Sequence, residues 1–75
     1  MYCMINFKNC PDIIAKTSDI DVIKMIYFMA LTQKSCTLSD YIAIIKAIAE
    51  RGYMDNILEW EIMYMTINYI SNNKI

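Results

Sequence analysis

Cys3, Cys10 and Cys36 are the first side chains in this sequence that could do chemistry, and their spacing rules out most of it. They contain neither a CxxC pair nor the four-ligand pattern of a structural zinc site. The chain has no histidine, so it lacks the commonest general base near neutral pH and the commonest metal ligand. A cysteine nucleophile would then need some other group to lower its pKa. The expectation is that these thiols serve as small apolar side chains, buried or half-buried.

The carboxylates offer little more. Glu59 and Glu61 are two residues apart, so on one helix they point to nearly opposite flanks and cannot share a proton. A paired site would need Asp40, Asp55 or another distant carboxylate to arrive by folding. Lys46 and Glu50 stand at i,i+4 in the less favourable order and read as a solvated pair. Gly52 is the only glycine, which excludes a glycine-rich phosphate loop. Catalytic residues, a cofactor and a metal are therefore all expected to be absent, and the chain is read as non-enzymatic.

What remains is contact chemistry. Trp60 and Tyr64 carry the large rings that anchor either a core or an interface, and Tyr69 extends the same helix. The methionines add adaptable, weakly directional surface. Trp60, Tyr64, Ile67, Met63, Met25 and Met29 form the expected partner-facing set.

The composition points the same way. Hydrophobic residues make up 57% of the 75 positions, above the roughly 45–50% of a soluble domain. A chain this short buries only about 60% of its unfolded surface, so apolar side chains are left over. Charged residues are 20% and the net charge is -1, so little repulsion opposes association. The seven basic residues are scattered among eight acidic ones, which makes nucleic acid an unlikely ligand, since phosphate binding needs clustered Lys and Arg.

The longest apolar run, residues 25–31, is far short of the roughly 17–25 residues of a membrane span. No basic-then-apolar signal opens the chain. The odd cysteine count suits a reducing compartment, so the expected location is cytoplasmic. The Ile-, Asn-, Lys-, Tyr- and Met-rich wording resembles the output of an AT-rich genome, which makes a viral or phage protein in a host cytoplasm one setting.

The elements that must position these residues are read from caps and periodicity. Met1 to Lys8 alternates imperfectly, permitting a short strand, an extended arm or a helical start. Pro11 suits the first position of a short turn over Asp12 to Ala15. Ser18, three residues before Asp21, predicts the cap of a helix from Asp19 to about Gln33. Its apolar residues cover more than half the circumference, leaving Asp21, Lys24 and Thr32 a narrow remainder, so this helix is expected to be central or to face more than one neighbour.

Thr37 with Asp40 repeats the cap spacing, with Ser39 competing, and predicts a helix from Leu38 to Arg51. Its stripe is Leu38, Tyr41, Ile42, Ile45, Ile48 and Ala49, widened by Ile44; Ala43, Lys46 and Ala47 lie on the other side. Gly52 is its left-handed C-cap. Asp55 is expected to cap a final helix reaching Tyr69 or Ser71. That helix carries two apolar stripes: Ile57, Trp60, Tyr64 and Ile67, and Leu58, Ile62, Met65 and Tyr69. One can close the core, leaving the other in surplus.

The expected fold is all-α, a single domain over residues 1–75: a compact bundle of three principal helices plus a short N-terminal helical turn or extended arm. The expected function is protein–protein interaction by docking, steric inhibition or assembly, with a protein partner or a homodimer. The alternatives are a small helical DNA-binding or transcription-associated module and a structural subunit of a larger complex.

Overall fold

The computed structural model describes residues 6–73, and over that span the chain is an all-α bundle of one short and three longer helices. A 3₁₀ turn, Phe7–Asn9, leads directly into α1, Cys10–Lys16; α2 is Ile20–Thr32, α3 is Leu38–Glu50 and α4 is Met54–Asn72. There is no strand among the described residues. Asn6 closes the 3₁₀ turn by accepting from the Lys8 amide at 3.1 Å, so the helical start expected as one option holds from residue 6. Met1 to Ile5 lie outside the described residues.

Pro11 sits in the first turn of α1, where its missing N–H leaves no helical bond unmade. The helix starts two residues before the expected turn and ends one residue after it. The cap of α2 is Asp19, one residue after the expected Ser18: its carboxylate accepts from the Asp21 amide at 2.9 Å. A carboxylate makes the stronger bond to an N-terminal amide because it also opposes the positive helix end. The Thr17 hydroxyl accepts from the Asp19 amide at 3.1 Å and holds the cap in place.

Thr37 caps α3 as its spacing predicts, its hydroxyl accepting from the Asp40 amide at 3.1 Å. At the other end Gly52 has φ +83°, a conformation that costs a residue with a Cβ. The Gly52 amide bonds to Ala49 O and the Tyr53 amide to Ile48 O, which completes a Schellman motif. The chain turns so tightly here that Tyr53 itself becomes the N-cap position of α4, with no side-chain cap bond. Asp55 therefore lies inside the first turn instead of capping it, where its charge still favours the helix N-terminus.

The hub is α3, which packs against the 3₁₀ turn and all three other helices. Sequence periodicity gave α2 either that central place or more than one neighbour, and the second holds, since α2 packs against both α1 and α3. The hub falls to α3 because α1 packs on it as well, with Pro11 and Ala15 sharing an open cleft with Ala43 and Ala47. Small side chains let two helix backbones approach closely. The α3 core face is correspondingly rotated toward Ile44 and Ile48, both fully buried, while Leu38 and Ile42 are 74% and 57% exposed.

Contact between α2 and α4 is made by large rings. Tyr27 is fully buried, with ring centroids of Phe28 and Trp60 at 5.8 Å and of Tyr41 at 6.5 Å. The Tyr27 hydroxyl makes no hydrogen bond of good geometry within the described residues, the nearby Tyr41 phenol being a candidate partner that falls short of one. Burial, with the neighbouring Tyr41 phenol second, pushes its pKa far above the ordinary tyrosine value. An unpaired buried hydroxyl costs about 1–3 kcal/mol of desolvation. Tyr27→Phe, which keeps the ring, is therefore expected to raise the melting temperature by about 4–8 °C, the shift that ~1 kcal/mol gives a domain of this size. A melting temperature lowered by the substitution would show that the hydroxyl has a partner.

A candidate protein-docking face on the last helix

Two core side chains in its first half hold α4 to the body, and one ring near its middle adds to them. Ile57 and Trp60 are buried, and Tyr64 is half-buried, its ring 6.4 Å from that of Phe28 on α2. Beyond Tyr64 the helix continues for two more turns with no other element of the described residues packed on it. Ile62, Met63, Met65, Ile67, Tyr69 and Ile70 are between 45% and 68% exposed. From Ile62 to Asn72 there is no charged residue at all.

The overhang explains the shape of the molecule. Its radius of gyration is 13.1 Å and its longest dimension 42 Å, whereas a close-packed domain of this length has a radius of about 11 Å. The helix that spoils the compactness is also the one whose apolar stripes are least used. An isolated exposed leucine needs no explanation, but a contiguous apolar patch of several hundred Å² marks a contact site.

The expected partner-facing residues fall into three groups. Trp60 is only 5% exposed and belongs to the core, so it supports the face from behind without lining it. Tyr64, Met63 and Ile67 lie on the overhanging half of α4. Met25 and Met29 lie on α2, in an open groove of about 550 Å³ lined also by Asp21, Lys24, Phe28 and Thr32. The Phe28–Tyr64 ring contact joins the groove to α4.

Phe28 was the residue missed. The sequence pattern left Asp21, Lys24 and Thr32 as the polar remainder of α2, yet Met25 and Phe28 fall on that same face at helical spacing. The rim is polar and the floor is apolar. A count of charges along α4 would likewise have separated its charged first half from its uncharged second.

The ionisable groups are placed for structure. Cys10 is fully buried, its thiol donating to Asn6 O at 3.7 Å, and burial raises its pKa, with Cys36 and Asp40 adding to the effect. Cys36 is half-buried and raised for the same first reason, then by Asp40. Neither is poised as a thiolate. Cys3 lies outside the described residues.

For Asp40, desolvation pulls the pKa upward, but bonds from Lys8 and from the Thr37 hydroxyl and amide outweigh it and hold the carboxyl below its usual range. The Lys8 ammonium is 3.3 Å away and mostly exposed, so the pair is a weak tie between the 3₁₀ turn and α3. No group of three or more Cys, Asp or Glu side chains that could hold a metal ion occurs among the described residues. No helix among the described residues is long and apolar enough to cross a membrane. Comparison with protein-family models, curated proteins and solved structures gave no match.

Proposed function

We propose that this chain is a non-enzymatic interaction module that docks onto another protein, or onto a second copy of itself, through the overhanging half of α4. The Tyr64, Met63 and Ile67 side, continued by Met25 and Met29 across the Phe28 contact, forms one docking flank. The action is steric occlusion, adaptor binding or assembly, as expected of a domain that offers surface and no reactive group.

One observation carries the reading: apart from half-buried Tyr64, residues 62–72 are exposed, mostly apolar and without charge. A helix in that condition keeps its apolar atoms in water at about 25 cal/mol per Å². The same residues argue against the two other surfaces such a helix could seek. A helix lying on a membrane surface carries Lys and Arg along its polar face, and a nucleic-acid reader needs them for phosphate. None occurs anywhere in α4, whose charges are Asp55, Glu59 and Glu61.

A photo-crosslinking side chain placed at Ile67 or at Ile62, in cells making the full chain, tests the reading against the same group at Lys16 on α1. A discrete adduct is expected from the α4 positions and not from Lys16, and it should vanish when Ile70→Glu places a charge on the overhang. If neither α4 position crosslinks above the Lys16 background, the reading is wrong.

A further inference from the structure

The second apolar stripe of α4 has a spacing of its own. Leu58, Ile62, Met65 and Tyr69 follow one another by steps of four, three and four residues, the repeat that keeps one line of side chains facing a partner helix along its length. At 100° per residue this line lies on the opposite side of α4 from Trp60, and Trp60 is the residue buried against the body. The seam therefore points away from the bundle. All four of its side chains are open, at 54%, 64%, 62% and 68% exposure.

We infer that this seam is a self-complementary surface on which a second copy of the chain packs its own α4, antiparallel. The inference rests on the reading above that the overhang is a docking element, and it assigns the occupant of one flank. Two arguments select a second copy in that orientation.

The first is charge. The residues flanking the seam are Glu59 and Glu61 in its first half, and Thr66 and Asn68 in its second. Running two copies antiparallel sets each glutamate beside an uncharged Thr or Asn. Running them parallel gathers four carboxylates at one end, where like charges repel.

The second is area. The seam spans about 17 Å of helix from Leu58 to Tyr69. Taking about 200 Å² for a fully exposed large side chain, the four present on the order of 500 Å² per copy. Two copies then cover about 1,000 Å² before any flanking residue is counted, the lower bound for a specific interface. A surface of that size falls in the class of weak, reversible associations. The pairing is isologous, so it closes at two copies and leaves the Tyr64 and Ile67 flank of each free.

In this arrangement Ile62 of one copy meets Met65 of the other, and Leu58 meets Tyr69. The test uses that crossing. Sedimentation of the full chain from sub-micromolar to several hundred micromolar should show a monomer–dimer equilibrium. Ile62→Glu and Met65→Lys should each weaken the dimer about a hundredfold by leaving a charge unpaired in the interface. Neither should alter the helical circular dichroism, because both side chains are mostly in water.

Mixing the two variants should restore a heterodimer, since the introduced carboxylate then faces the introduced ammonium. A parallel pair would set Ile62 against Ile62 and give no rescue. A wild-type chain monomeric throughout, or variants that dimerise as wild type does, would overturn the second-copy inference. So would a dimer that mixing fails to restore. A monomeric chain that still gave an α4 adduct of another mass would leave the broader interaction reading standing.

Discussion

Trp60→Ala is expected to remove most of the folding free energy of this chain. A buried tryptophan truncated to alanine costs about 3–5 kcal/mol, because the transfer energy of the ring is lost and the cavity collapses only in part. Natural domains hold about 0.05–0.15 kcal/mol per residue, so 75 residues correspond to about 4–11 kcal/mol in total. The loss is concentrated where the fold can least compensate. Trp60 and Ile57 are the only buried side chains of α4, and the Trp60 ring packs on Tyr27 at 5.8 Å, the more buried of the two ring contacts that join α4 to α2.

Trp60→Phe keeps an aromatic ring on Tyr27 and should retain more than half of the lost stability. The measurement is urea unfolding followed by far-ultraviolet circular dichroism, since Trp60 is the only tryptophan and its fluorescence disappears with it. A loss below about 1 kcal/mol, the level of an ordinary surface or peripheral change, would mean that α4 is not held by this side chain.

Arg51→Ala comes second, at about 2 kcal/mol, the range of hydrogen bonds to a charged group. Its guanidinium Nη1 donates to Ile14 O at 2.6 Å and to Thr17 O at 2.8 Å. These carbonyls lie at the C-terminal end of α1, where helical acceptors lack partners and a positive charge opposes the dipole. The guanidinium carbon also sits 5.6 Å from the centre of the Tyr53 ring. One side chain thus ties the short α1 to the end of α3 and to the connection into α4.

A seven-residue helix does not persist alone in water, so the loss should appear first as release of α1. Amide exchange in α1 is expected to accelerate about thirtyfold, the factor for 2 kcal/mol, with a smaller change in α2. Arg51→Lys retains charge without the planar group over Tyr53 and should recover part of the effect. Equal protection of α1 in wild type and Arg51→Ala would show that the tie is dispensable.

The helices were legible because their signals are local. Thr37 with Asp40, Pro11 in a first turn and Gly52 at a left-handed position each act on backbone groups within a few residues, so the spacing of residue types states the geometry directly. The two caps that moved show the limit. Ser18 and Asp19 are both able to cap, and the choice fell to the one whose backbone amide the Thr17 hydroxyl accepts from; Asp55 lost its role to the tightness of the Gly52 turn.

The residues of the proposed docking face were legible by type and not by side. Met25, Met29, Met63, Tyr64 and Ile67 are where an adaptable apolar surface was expected, but Trp60, identical in pattern, is core. A helical wheel places a residue around an axis and is silent about where along that axis the neighbouring helices stop. Trp60 and Ile67 point in nearly the same direction; the body reaches one and ends before the other.

By itself, then, the amino-acid order determined the helical class, the places where helices begin and end, and an excess of apolar side chains too large for so short a chain to bury. Only the tertiary structure decided that α3 is the hub, that Arg51 closes α1 from 34 or more residues away, and that the uncovered surface is the far half of α4. The reason is range: caps and periodicity are set by neighbours in sequence, while burial depends on which distant surfaces meet, and here the alanines of α3 and the rings around Tyr27 settled that.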